Sequence, residues 1–326
     1  RALEDRLNQE GSEAWRKKVD EVLDDEFGLS LRDAHAVSEN LPIVLGCSHA
    51  CAYCVIPGKR GRERSRVPGR IVQEANSLVA GGARELVLLG QIVDRYGVDL
   101  QGGYHLPQLL ADLSNIPDLW RLRFLTSHPN WMTNELIDAV ADLPKVMPHI
   151  EVPIQAGDDD ILTMMRRGYT NSQYRDLVAR IRERIPGVSI GTDIIVGFPG
   201  ESEAAFMRTY DTLAELKLDV AHLARYSPRP GTYSARYLPD DVPAEEKMRR
   251  FRALEDLQKE VVGEINAAFL GQTQLVLFEG KSKNRWRGRT PTNRLVFVET
   301  DQDLLGQEKP VRITWTGPWS LLGEID

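Results

Sequence analysis

The only three cysteines of this 326-residue chain, Cys47, Cys51 and Cys54, sit together in GCSHACAYC (46–54). Thiolates are soft ligands that select zinc or iron–sulfur clusters. A structural zinc site wants four ligands. His49, wedged between Cys47 and Cys51, would close a cramped chelate, and His35, His105, His128, His149 and His222 show no paired metal spacing. A cubane [4Fe–4S] cluster held by three thiolates keeps one iron without a protein ligand. An open coordination position is what makes a metal site catalytic rather than structural. The spacing CxxxCxxC therefore points to a cluster that binds something else at its vacant iron. A zinc-containing, non-catalytic site is the competing reading. An odd, clustered cysteine count does not suit a disulfide framework; it suits thiols in a reducing, cytoplasmic compartment.

The elements around the motif alternate. Short aliphatic runs, IVLG (43–46), LVLLG (86–90), LRFLT (122–126), IEVPI (150–154), VSIGTDIIVG (188–197) and VAHLARY (220–226), are separated by amphipathic stretches. Those stretches carry Ile71/Ala75/Leu78/Val79, Leu136/Ile137/Val140/Leu143, Tyr174/Leu177/Val178/Ile181/Ile185 and Phe206/Tyr210/Leu213/Leu216, spacings that gather each set on one helix face. Strand–helix alternation means βα units and a parallel sheet. Six units suit a partial (β/α)6 barrel, with an open doubly wound sheet as the alternative. In both, reactive residues belong at the C-terminal strand ends. Cys47, Gln91, Ser127 and Gln155 follow successive strands and fit one rim.

After Pro239 the pattern changes. DDVPAEEKMRRF reads as a helix start with Asp at the cap and Pro in the first turn. Met248, Phe251, Leu254, Leu257, Val261, Ile265 and Phe269 continue it as a stripe up to Gly271. Short alternating runs separated by glycine turns fill the remainder, as in a small all-β barrel. The expected division is an acidic, helical N-terminal segment (1–40), an α/β domain (41–240), a connecting helix (241–270) and a β-barrel (271–326). A net charge of −7 argues against blanket nucleic-acid affinity but leaves room for local basic patches. No apolar run has membrane-spanning length and no signal-peptide pattern opens the chain. An initial Arg1 in place of Met reads as a partial or trimmed chain.

The cysteine motif, with Tyr53 before its last cysteine, resembles the radical S-adenosylmethionine (SAM) enzymes. In that family the amino and carboxylate groups of SAM chelate the fourth iron, and one electron cleaves SAM to a 5′-deoxyadenosyl radical. CVIPGKRGRERSR, LLGQ, TSHP, VPIQAGDDDILTMMRRGYT, TDIIVGFPGES and YSPRPGT resemble its methylthiotransferase subfamily. GRTPTNRLVFV (288–298) resembles a TRAM domain, a small RNA-binding β-barrel. The resemblance is nearest to the branch that makes 2-methylthio-N6-isopentenyladenosine at position 37 of tRNA. Another tRNA adenosine, or a ribosomal-protein aspartate suggested by YGVDL (96–100), is the runner-up substrate.

Several site expectations follow from the resemblance. Cys47, Cys51 and Cys54 would ligate the cluster. Gln91, Ser127, Gln155, Arg167 and Asp193 would contact SAM, Arg166 being the alternative to Arg167. GFPGE (197–201) would turn against bound adenosine. His49 reads as a surface-loop histidine. No general base with a tuned pKa is expected, because a radical attacks the substrate C–H bond. Lys281, Lys283, Arg285, Arg287, Arg289 and Arg294, with Trp286 interleaved and no acid among them, would grip the tRNA anticodon stem-loop. Lys59, Arg60, Arg62, Arg64, Arg66 and Arg70 form a second basic run beside the cysteines. An electron donor such as flavodoxin or ferredoxin and a monomeric state are further expectations. One departure stands out. The family carries a second [4Fe–4S] cluster on three cysteines of an N-terminal domain, and residues 1–46 contain none. SAM cleavage should survive in this chain, whereas sulfur insertion should be impaired.

Overall fold

The computed structural model describes residues 36–325; the helix expected in residues 1–40 falls almost wholly outside them. The described chain runs β1 (Ser38–Pro42), β2 (Val44–Leu45), α1 (Ile56–Arg60), β3 (Arg64–Ser65), α2 (Pro68–Ala80), β4 (Glu85–Leu89), α3 (Leu106–Ser114) and β5 (Arg121–Phe124). It continues through α4 (Asn134–Asp142), β6 (His149–Glu151), α5 (Asp159–Met164), α6 (Asn171–Arg184), β7 (Ser189–Val196), α7 (Glu203–Leu216), β8 (Val220–Arg225), α8 (Tyr233–Tyr237) and α9 (Ala244–Ala267). Among the described residues, no helix is long and apolar enough to cross a membrane.

Six strands pair in parallel in the order β1-β4-β5 and β6-β7-β8, and a parallel bridge between Leu122 and Val146 joins the two sets. Spatial order follows chain order without a reversal. That is a wound half-barrel, not the doubly wound sheet, which needs a switch point. Helices cover the outside through residues such as Ile71, Leu109, Tyr174 and Phe206, all fully buried in one continuous core.

The first strand is SENLP, not IVLG. Ile43 N donates to Leu89 O at 2.9 Å, extending the β1 ladder by one rung, and Val44 and Leu45 then pair antiparallel with Ser65 and Arg64. Polar SENLP escapes the hydrophobic pattern because Ser38 and Glu39 lie at the strand's starting end. There Ser38 Oγ bonds Glu85 at 2.9 Å. Helix α3 was also not expected, although Leu106, Leu109, Leu110 and Leu113 bury one face at helical spacing. The acids before α9 do not cap it. Pro243 occupies the cap position, Asp240 pairs with Lys247, and Asp241 accepts from Gly200 N.

Strands β9 (Thr273–Ser282), β10 (Arg285–Arg289), β11 (Leu295–Val298), β12 (Glu308–Thr316) and β13 (Leu321–Glu324) close into a five-stranded barrel around Val276, Phe278, Trp286, Val296, Val311 and Ile313. This small barrel plugs the N-terminal end of the half-barrel. Arg121 and Arg123 of β5, both about fully buried, reach across to it. Arg121 Nη1 donates to Arg289 O at 2.7 Å and Nε to Glu308 at 2.8 Å. Arg123 bonds Glu85 at 2.9 Å, Pro291 O at 2.7 Å and Thr290 O at 2.8 Å. Arg294 returns the grip, pairing with Asp219 at 2.5 Å and Asn266 at 2.8 Å and stacking on Phe269. Backbone carbonyls take fixed positions here, and the forked guanidinium satisfies several at once.

Candidate functional site

The cysteine loop leaves the half-barrel at β2 and crosses its C-terminal rim. Gly46 starts it at φ +81°, where a Cβ would stand 2.1 Å from Arg62 O, so only glycine permits the turn. Gly46 N donates to Gln91 Oε1 at 2.5 Å, and Cys47 N to Gly61 O at 2.9 Å. The middle of the loop is pinned by Ala52 N to Met165 O and by Ser234 N to Ala52 O. Its side chains are anchored too. Ser48 Oγ bonds Glu63 at 3.0 Å, and Glu63 pairs with Arg95 at 2.6 Å.

The three thiols differ electrostatically. Burial pushes the Cys47 thiol up to about 11 and also raises Cys54. Burial likewise raises Cys51, but a hydrogen bond with His49 and the nearby Arg167 guanidinium outweigh it and bring its net value below that of a free thiol. Arg167, buried, places Nη1 3.2 Å from Cys51 Sγ and 3.5 Å from the Tyr53 hydroxyl. Among the described residues, no three His, Cys, Asp or Glu side chains converge as ligands of one ion would. Three thiolates of one loop can each take a different iron of a cubane.

The other expected site residues divide. Ser127 and Gln155 are buried on the same rim, and Ser127 Oγ and Gln155 Oε1 have no hydrogen-bond partner. Gln155 stands at φ +75°. Buried polar atoms without partners cost about 1–3 kcal/mol each, which a polar ligand would relieve. Asp193 lies beside Gln155, whose N bonds Asp193 O at 2.8 Å, and burial raises its carboxyl. Gln91 is engaged in holding Gly46, so its acceptor serves the loop. The two ends of the GFPGE turn are fixed by protein contacts. A Cβ on Gly197 would strike Lys247, Gly197 N donates to Glu201 at 2.7 Å, and Glu201 pairs with Arg250 at 2.8 Å, all against α9.

Sequence reading missed the neighbours on the rim. His49 is not a solvated loop residue. Its ring lies 4.6 Å from that of His128 and 5.3 Å from that of Trp131, and its Nε2 is buried without a partner. His128 Nε2 is likewise unpartnered, and burial pushes that imidazole down to about 2. Asp94 accepts from His128 N at 2.9 Å through one oxygen while the other is unpartnered, and burial lifts it to about 7. The motif TSHP contained the signal for His128; nothing in sequence distance joins it to Asp94 or His49.

The basic segment forms a hairpin, not a loop. Lys283 and Asn284, at φ +48° and +62°, turn β9 into β10. RWRGR then alternates. Arg285 and Arg287 are exposed, Trp286 and Gly288 face the barrel core, and Arg289 is half-buried. Trp286 is 4% exposed, its Nε1 donates to Gln302 O, and Lys281 covers its ring, so it offers no face to a base. Arg294 is turned inward to Asp219, and Arg289 is tied to Asn293 O at 3.1 Å. Lys281, Lys283, Arg285 and Arg287 remain as the outward cations. In the second run Lys59, Arg60 and Arg62 are exposed and Arg70 is half-buried, whereas Arg66 is buried against Pro42 O and Glu74.

A parallel half-barrel with three thiols and a set of unpartnered polar atoms on its C-terminal rim is the architecture of a cluster-dependent enzyme. Family models agree: the radical SAM superfamily model matches residues 41–213 and the TRAM domain model residues 267–325. The tRNA-2-methylthio-N(6)-dimethylallyladenosine synthase of Chloroflexus aurantiacus is 53% identical over 92% of this chain and 65% of its own length. That of Dehalococcoides mccartyi (strain CBDB1) is 51% identical over 89% of this chain and 69% of its own. Coproporphyrinogen III oxidase (HemN) of Escherichia coli, a radical SAM enzyme, shares the fold with a TM-score of 0.53, covering 88% of this chain and 66% of its own at 13% identity. The chain belongs to the radical SAM superfamily and, within it, to the tRNA-2-methylthio-N(6)-dimethylallyladenosine synthase family. It spans less than two thirds of the length of the first curated relatives that it matches.

Proposed function

We propose that this chain is the SAM-cleaving and RNA-binding part of a tRNA methylthiotransferase that acts at C2 of N6-isopentenyladenosine 37. The observation that carries this reading is the cysteine loop. Its three thiols sit on the rim that also gathers the unpartnered Ser127, Gln155, Asp94, His49 and His128 atoms, a donor and acceptor set suited to a cluster with a zwitterionic, ribose-bearing ligand. Cys47, Cys51 and Cys54 would hold a [4Fe–4S] cluster. That cluster, once bound and reduced, supplies the electron for SAM cleavage. Ser127, Gln155 and Asp193 would orient SAM through its hydroxyl and amino groups. The buried rim would keep water from a reactive organic radical. Lys281, Lys283, Arg285 and Arg287 would contact RNA phosphates. The sulfur-associated second cluster belongs to a part of the family architecture for which this chain holds no cysteines.

The test is anaerobic reconstitution followed by iron counting and SAM turnover. A brown protein with about four irons that forms 5′-deoxyadenosine and loses its colour on Cys51→Ala supports the reading. A colourless zinc protein, or about eight irons per chain, refutes it. For RNA, the triple variant Lys281→Glu/Arg285→Glu/Arg287→Glu should weaken tRNA binding and flatten its salt dependence by roughly one unit of slope per lost phosphate contact. Unchanged affinity and slope would remove the barrel from the RNA interface.

A further inference from the structure

Arg167 is the most completely constrained cation on the rim. The chain leaves α5 through Arg166 at φ +61°, a left-handed residue whose own guanidinium stacks 3.6 Å over the Tyr233 ring. That bend turns Arg167 inward, where it is 4% exposed. Nε donates to the Tyr169 hydroxyl at 2.9 Å, and Nη2 donates to Pro153 O at 3.2 Å. The Tyr169 hydroxyl in turn donates to Ile154 O at 2.7 Å. With two edges of the planar fork fixed, Nη1 is directed at Cys51 Sγ, 3.2 Å away, and also reaches the Tyr53 hydroxyl at 3.5 Å. Among the described residues, neither of the other two thiols accepts such a hydrogen bond from a cation. Cys47 Sγ faces His49 O at 3.9 Å, and Cys54 Sγ accepts from Ile56 N at 3.5 Å.

Reduction of a cluster adds negative charge that spreads onto its sulfurs, including the cysteine sulfurs. A permanent cation that hydrogen-bonds one of them stabilises the reduced state more than the oxidised one. We infer that Arg167 is a positioning residue that donates a charge-assisted hydrogen bond to the Cys51 sulfur and thereby raises the reduction potential of the cluster. This assignment, distinct from contact with the SAM carboxylate, rests on the proposed ligand role of Cys51. Loss of one such bond should shift the ratio of reduced to oxidised cluster about tenfold at fixed potential, which is about 59 mV for a one-electron couple.

The measurement is a potentiometric titration of the reconstituted chain without SAM, followed by electron paramagnetic resonance, for wild type, Arg167→Gln and Arg167→Lys. The Gln variant should titrate about 59 mV lower, at equal iron content. The Lys variant, which keeps a cation but loses the fork, should fall between and guards against a Gln variant that fails to fold. Equal midpoints for wild type and both variants would overturn the inference. So would a loss of SAM affinity by equilibrium dialysis with the midpoint unmoved, which would give Arg167 to SAM instead. Cys51→Ser serves as the separate control. If it retains full iron and an unchanged spectrum, the ligand reading itself has failed, whatever Arg167 does.

Discussion

Replacing Arg123 with Met tests whether the small barrel is riveted to the half-barrel or merely adjacent to it. Arg123 and Glu85 are each 2% exposed and 2.9 Å apart, and Arg123 also serves the carbonyls of Thr290 and Pro291. Met fills much of the volume but leaves a buried carboxylate without its cation and two carbonyls without donors. Breaking a buried pair from one side costs about 3–5 kcal/mol. For a chain of this size that lowers Tm by roughly 6 °C or more. Removing both charges, as Arg123→Met/Glu85→Leu, should restore most of the loss, because an apolar pair replaces the ionic one. Urea unfolding of the wild type and the two variants measures both effects. A single variant within about 1 kcal/mol of wild type, or a double variant as unstable as the single, would refute the reasoning.

Two further perturbations probe other parts of the molecule. Gly46→Ala forces a Cβ to 2.1 Å from Arg62 O at a positive φ; it should cut iron uptake severely while circular dichroism shows the barrel intact, and full iron uptake would contradict the loop geometry. Burial acts to raise Glu151, but hydrogen bonds from His149 and His222 outweigh it and hold its carboxyl down at about 2. Its stabilisation is therefore present above the ordinary carboxylate range and lost as pH falls from about 5 towards 2. Glu151→Gln should flatten the urea midpoint across that window.

Five of the six strand runs and the thiol motif were legible because each is local: an aliphatic stretch of five or so residues, or three cysteines within one loop. What escaped depends on contacts between distant segments. GRTPTNR looks like a basic surface tract, yet Thr290, Pro291 and Arg294 dock on β5 and Asp219, and only the fold supplies those partners. Trp286 was readable in principle, since alternation in RWRGR assigns it the face opposite Arg285 and Arg287. Counting charges along the segment hid that period. Arg121 and Arg123 alternate with Leu122 and Phe124 in RLRFLT (121–126), but a buried arginine is rare enough that the run reads as ordinary strand. His49, His128 and Asp94 come from three separate strand–helix loops, and their meeting is a property of the rim.

The plug at the N-terminal strand ends sets the small barrel and the thiols at opposite ends of the sheet. Its strands run up to the eight residues of β7, about 26 Å at 3.3 Å per residue. The small barrel is bolted at one end of that span and the thiol loop lies at the other. Anything held at the barrel end is thus kept a strand's length away from the thiols.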